Sequence, residues 1–194
     1  GDGTVACEIA HVVPAAAICA FDVSPDLVEL ARDRVRMNSL EDRVQCFVGN
    51  AETDCLGGRQ FDVVLVSEIL HHVDFRETLP RILSATKPGG LIVMKEPISL
   101  SPALQKVRDL VPIPKNASPG DRQLSRAELD GVLAALEEPS IRHFRLFGRL
   151  DRLLPNINRI DEGHPVTKTI ALLLGWADAA LMSLLPVLRR FAGN

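Results

Sequence analysis

The chain opens Gly1-Asp2-Gly3-Thr4-Val5-Ala6, and an acid, Asp22, follows an apolar run from Ala16 to Phe21. Glycine at two of three opening positions permits a tight strand-to-helix turn and lets a ligand touch backbone. A carboxylate at a strand's end offers enough acceptor sites to take both hydroxyls of a ribose. Together these residues suit the binding of a nucleoside-bearing cofactor. The opening also satisfies G-x-G-x-x-[GA], a signature that nucleotide cofactors share in general. Asp2 tilts the choice, because a negative charge inside the turn repels a pyrophosphate at short range. A cofactor that carries an ammonium and no phosphate tolerates that acid.

Other titratable groups cluster further along. His71 and His72 are adjacent, with Glu68 before them and Glu96 later. Neighbouring residues point about 100° apart on a helix and to opposite faces of a strand, so such a pair rarely shares a metal. The cysteines at 7, 19, 46 and 55 form no C-x-x-C, and histidines 11, 71, 72, 143 and 164 complete no zinc pattern. No metal is expected. The cysteines read as reduced thiols in a cytoplasmic setting. Asp62, opening an apolar run, reads as a local pairing group, whereas Glu96 suits either acceptor contact or local hydrogen bonding.

The elements that must position these groups follow from hydrophobic pattern. Ser24 offers an N-cap oxygen and Pro25 fits the first helical position, so a helix is predicted through Asn38 with Leu27, Leu30, Ala31 and Val35 on its apolar face. Strands are predicted at 16–21, 43–48, 61–66 and 90–94, the last after the breaker run Lys87-Pro88-Gly89-Gly90. A helix over 76–86 carries Pro80 in its first turn or as a kink. Strands buried on both faces and alternating with helices imply an α/β fold with a doubly wound, mostly parallel sheet. Beyond residue 96 the pattern changes. Residues 101–111 look helical, 112–120 form a loop, Ser125 and Glu128 make a capping box, 141–147 suits a strand, and 170–188 is almost wholly apolar.

The 194 residues fit one domain, 1–194, whose segment 97–194 is the acceptor-side and helical part. Net charge is −3 with no basic run, which argues against nucleic acid as a partner.

Gly49-Asn50-Ala51, Phe61-Asp62-Val63-Val64 leading to Leu70-His71-His72, and Lys87-Pro88-Gly89-Gly90 complete a pattern over residues 1–96. In order and spacing it resembles the class I S-adenosylmethionine (SAM)-dependent methyltransferases, closest to the ubiquinone/menaquinone-type and small-molecule branch. The resemblance implies a Rossmann-like sheet with SAM across the strands' carboxyl ends. By the same resemblance Gly1 and Gly3 line the turn under the cofactor's methionine part, Asp22 binds the ribose and Val23 flanks the adenine. Asn50 and Ala51 face the adenine edge, and Ser67 and His72 border the methionine end and the transferred methyl. Val5 stands where the family has a third glycine, and Asn50 where it more often has Asp. The resemblance further implies that the strand before the glycine turn, and the last strand, lie outside these residues.

SAM's sulfonium makes its methyl electrophilic, so such a protein mainly aligns donor and acceptor, with effective molarities of roughly 10⁵–10⁸ M in favourable cases. A base is needed only if the acceptor loses a proton, and His71, His72, Glu68 and Glu96 are equal candidates. The expected acceptor is a small or lipid-like molecule. Residues 170–188, with Asp178 near the middle, suit a core or lid helix, an apolar wall for the acceptor, or a peripheral membrane contact. Arg142, Arg145, Arg149, Arg152 and Arg159 permit an anionic or lipid-linked substrate and equally a solvated face. A nicotinamide-dependent oxidoreductase and a non-catalytic methyltransferase-like module remain as alternatives.

Overall fold

Short apolar runs alternating with capped helices produce the expected elements at nearly the expected places. A computed structural model of the chain describes residues 1–53, 57–98, 123–142 and 165–185. They belong to two units, one of Gly1–Val64 and Arg76–Leu91, the other of Leu65–Phe75 and Ile92–Asn194. In chain order the elements are α1 (Thr4–Val12), β1 (Ile18–Asp22), α2 (Pro25–Met37), β2 (Val44–Val48), β3 (Phe61–Ser67), α3 (Phe75–Ser84), β4 (Thr86–Lys95), α4 (Arg126–Ala135) and α5 (Pro165–Leu184).

In the first unit β1 and β2 pair in parallel, with Ile18 opposite Val44 and Asp22 opposite Val48. Both strands therefore end at one edge, where Asp22, Val23, Gly49 and Asn50 follow. Phe21 and Phe47 are register partners whose rings stack at 5.7 Å between centroids. The core joins Ala6, Cys7 and Ala10 of α1 to Val35, Leu40 and Val44, with Ile18, Ala20 and Cys46 packed against it. The small side chains of α1 let that helix sit close to its neighbours, and dense packing there makes each added or lost methylene felt. Arg43 donates to the carbonyls of Ala10 and Pro14 at 3.0 and 2.7 Å, satisfying acceptors that the end of α1 leaves open.

Ser24 caps α2 through Leu27 N–H, and Pro25 occupies its first turn. The helix buries Val28, Ala31 and Val35, while Leu27 and Leu30 are exposed. That corrects the predicted apolar face: the stripe runs through 28, 31 and 35, one residue away from the two leucines.

β3 and β4 form the other sheet. Phe61 N–H donates to Ala85 and Glu68 N–H to Lys95, both at 2.8 Å, so the two strands ascend together. β4 begins at Thr86, not at Gly90, because Gly89 takes φ +74° and lets the chain turn within the breaker run instead of after it. A Cβ on Gly90 would meet Thr86 Cγ2 at 2.8 Å and the Asp62 carbonyl at 3.0 Å, so glycine permits the close approach of the strands. Pro80 lies inside α3 and beyond its first turn. The expectation of strands buried on both faces fails here: Val63, Leu65, Leu91 and Val93 are exposed.

In the second unit the capping box forms as predicted, Ser125 accepting from Glu128 N–H and Glu128 accepting from Ser125 N–H. Val132 is the buried centre of α4, and Ile98 bridges Leu124 in parallel. The predicted helix over 101–111, the loop over 112–120, most of the strand over 141–147 and Cys55 lie outside the described residues. Residues 141 and 142 are not in a strand.

Candidate functional site

The first cluster of site residues lies in the first unit. Gly3 is the N-cap of α1 with φ +80°, the left-handed conformation that only glycine adopts without cost. A Cβ there would meet Ala31 of α2 at 2.9 Å. Gly1 is different: a Cβ at that position meets nothing within 4 Å. Of the two opening glycines, tertiary contact enforces only the second.

Asp2 departs from its predicted part. Its Oδ1 accepts from Thr4 N–H at 3.1 Å, and its Oδ2 from Thr4 Oγ1 and from the Arg34 guanidinium, both at 2.9 Å. Arg34 Nε also donates to the Asp2 carbonyl at 3.0 Å. Partial burial alone would raise the Asp2 pKa, but the Thr4 hydrogen bonds and the Arg34 charge outweigh it and hold the carboxyl below its ordinary value. The acid is thus occupied and offset by a cation from α2. Charge repulsion at this turn therefore does not separate one class of nucleoside cofactor from another.

Asp22, the last residue of β1, is where the spacing predicted an acceptor. Its Oδ1 accepts from Ser24 N–H at 2.8 Å, and its Oδ2 faces the nitrogen of Gly1. Val23 beside it is exposed, offering an apolar surface at the same strand end. Asn50 uses its Oδ1 to accept from Glu52 N–H at 2.9 Å and its carbonyl to accept from Thr53 N–H at 3.2 Å. That turn leaves the amide nitrogen as the end suited to a ligand, with Ala51 half-buried next to it. Gly1, Gly3, Asp22, Val23, Asn50 and Ala51 thus all belong to one unit. The residues fit a nucleoside with an amino-acid tail: an ionised acceptor at a strand end, exposed backbone at Gly1, and a helix N-terminus at Gly3.

Ser67 and His72 belong to the second unit. Ser67 ends β3, and Glu68 follows with φ +57°, a conformation uncommon outside glycine and found preferentially at functional sites. Lys95 Nζ lies 2.7 Å from Glu68 Oε1. His72 is exposed and its ring lies 3.9 Å from that of His71, which is buried. Residues 68–74 are neither helix nor strand, so the two rings meet where regular geometry would have separated them. Glu96 hydrogen-bonds the turn that follows β3: Oε1 accepts from Ile69 N–H at 2.8 Å and Leu70 N–H at 3.0 Å, and Oε2 lies 2.8 Å from His71 Nδ1.

Sequence reasoning missed Arg34. Its only signal was its place three residues beyond Ala31 on the face of α2 that meets the glycine turn. Asp62 pairs with Lys87 Nζ at 2.8 Å, and that hydrogen bond and charge lower its pKa, as its local role required. Burial pushes the Cys7 and Cys46 thiols up, so neither supplies a thiolate nucleophile at neutral pH. Among the described residues no group of three or more His, Cys, Asp or Glu side chains is arranged to hold a metal.

Residues 1–90 match the family described as "Methyltransferase domain". A ubiquinone/menaquinone biosynthesis C-methyltransferase, UbiE, from Geotalea daltonii is 32% identical over 98 residues, 50% of this chain and 42% of that protein. A release factor glutamine methyltransferase from Thermosynechococcus vestitus is 42% identical over 50 residues, 26% of this chain and 17% of that protein. The chain spans less than half the length of these curated relatives. Among solved structures, an O-methyltransferase family protein from Burkholderia thailandensis superposes with TM-score 0.57 at 22% identity, covering 73% of this chain and 45% of that one. A putative sarcosine dimethylglycine methyltransferase from Galdieria sulphuraria gives TM-score 0.59 at 15% identity, covering 92% and 71%. At such identities these two structures establish the Rossmann-like fold alone. Residues 1–90, a little under half of the chain, thus match the methyltransferase-domain family, in keeping with the class I, SAM-dependent pattern that the sequence resembles.

Proposed function

We propose that this chain binds SAM and transfers its methyl group to a small-molecule acceptor by in-line displacement. The observation that carries this reading is the Asp22 carboxylate at the end of β1, beside the exposed Val23 and oriented by Ser24 N–H. In this reading Asp22 accepts from the ribose hydroxyls, Val23 and Ala51 flank the adenine, Asn50 meets its edge, and Gly1 and Gly3 lie under the amino-acid tail. Ser67 and His72 serve the methionine end. SAM, when bound, supplies the electrophilic methyl on its sulfonium. The chain's own work is to bind, orient and exclude water, and orientation is where much of the rate originates.

Titration calorimetry tests it. S-adenosylhomocysteine should bind in an enthalpically measurable one-to-one event that NAD(P) does not reproduce. Binding of NAD(P) without S-adenosylhomocysteine would overturn the reading in favour of an oxidoreductase. Binding of S-adenosylhomocysteine with no methyl transfer to any acceptor would favour a non-catalytic module.

The acceptor is lipophilic in a finer form of this proposal. Along α5, Leu172, Leu173, Trp176 and Leu184 are exposed, while Asp178 and Met182 are buried. Among the described residues no helix is long and apolar enough to cross a membrane. An exposed apolar flank of this kind suits a lipid-like acceptor or contact with a membrane surface.

A further inference from the structure

We propose that Glu96 is the positioning residue of the turn after β3, holding its backbone and fixing which nitrogen of His71 carries the proton. The proposal rests on the methyltransferase reading only for the ligand used in its test. Both side chains are buried, at 6% exposure each, and a buried carboxylate must find hydrogen-bond donors. Glu96 finds them in one turn of chain: the amides of Ile69 and Leu70 converge on Oε1, and the His71 ring meets Oε2. His72 N–H closes the same turn on the Ile69 carbonyl at 2.9 Å. The turn therefore begins with a left-handed Glu68 and ends at the exposed His72, with Glu96 bridging its middle. Successive amides aimed at one anion form a nest, and removing the anion removes what holds them together.

The same contact decides the imidazole. With Oε1 committed as acceptor to two amides, the side chain presents Oε2 as a further acceptor, and Nδ1–H of a neutral His71 donates to it. The lone pair of the ring then resides on Nε2. A carboxylate that orients a histidine in this way sets its tautomer. Gln in place of Glu separates the two roles. Its carbonyl can keep both amides, but its NH₂ then faces Nδ1, which must become the acceptor and send the proton to Nε2.

Ring-nitrogen NMR of the ¹⁵N-histidine-labelled chain at neutral pH reads the tautomer directly. His71 should show a protonated Nδ1 and an unprotonated Nε2, and Glu96→Gln should invert that pattern. A native Nε2–H tautomer, a doubly protonated ring, or a Glu96→Gln variant that keeps the proton on Nδ1 overturns the proposal. If either variant fails to fold, the native spectrum alone decides. S-adenosylhomocysteine binding reads the turn: Glu96→Ala should weaken it about tenfold, and Glu96→Gln should recover most of that loss. Equal affinity in Glu96→Ala and the native chain removes the turn-holding role. Failure of the native chain to bind S-adenosylhomocysteine defeats the methyltransferase reading instead, and the tautomer result still stands or falls by itself.

Discussion

Ser24 N–H donates to Oδ1 of Asp22 at 2.8 Å where β1 ends, and the Ser24 hydroxyl in turn accepts from Leu27 N–H to cap α2. The carboxylate proposed to grip a ribose is thus oriented by the residue that starts the next helix.

Asp22→Ala should weaken S-adenosylhomocysteine binding by about 1.5–3 kcal/mol, read by calorimetry.

The two opening glycines should respond differently to alanine. At Gly3 a Cβ brings both a left-handed backbone cost and a contact of 2.9 Å with Ala31, so Gly3→Ala should destabilise by about 1–3 kcal/mol or more. Gly1→Ala should change stability by less than about 0.5 kcal/mol. Urea midpoints at constant m-value measure both. Ala31→Gly should recover part of the Gly3→Ala loss, but not all, since the Ala31 Cα is as near as its Cβ.

Arg34→Met should destabilise the first unit by about 1 kcal/mol, because it removes charge-assisted bonds to the carboxylate and the carbonyl of Asp2. It should also raise the Asp2 pKa. The folded pKa of Asp2 is depressed, so its contribution holds at neutral pH and is lost on acidification through the folded value. In Arg34→Met that acid-sensitive part should shrink, which denaturant midpoints collected from pH 7 down to about pH 2 would reveal. Identical pH profiles for both proteins would contradict it.

Trp176 is the chain's single tryptophan and is 75% exposed. Its emission should therefore be that of a solvated indole. If α5 lies on a membrane surface, vesicles should shift the emission to the blue, and Leu173→Asp should abolish the shift. Unshifted emission at saturating lipid would leave the apolar flank to a lipid-like acceptor alone.

Much of this architecture is local and was therefore legible in the sequence. Ser24 with Pro25, and Ser125 with Glu128, start helices through neighbours three residues apart, and alternating apolar runs place β1, β2 and β3 to within a residue or two. Asp22 was legible for the same reason, being the acid that ends a predicted strand. Other features depend on partners distant in the chain, and no spacing rule announces these. Arg34 meets Asp2 across 32 positions, and Glu96 reaches His71 across 25. Tertiary packing alone decided that the Asp2 charge is offset, that Gly3 is sterically enforced, and that Glu96 bonds to the turn after β3. The physical reason is that hydrogen bonds and close contacts form in space, whereas the periodicity of a sequence records only which face of each element is apolar.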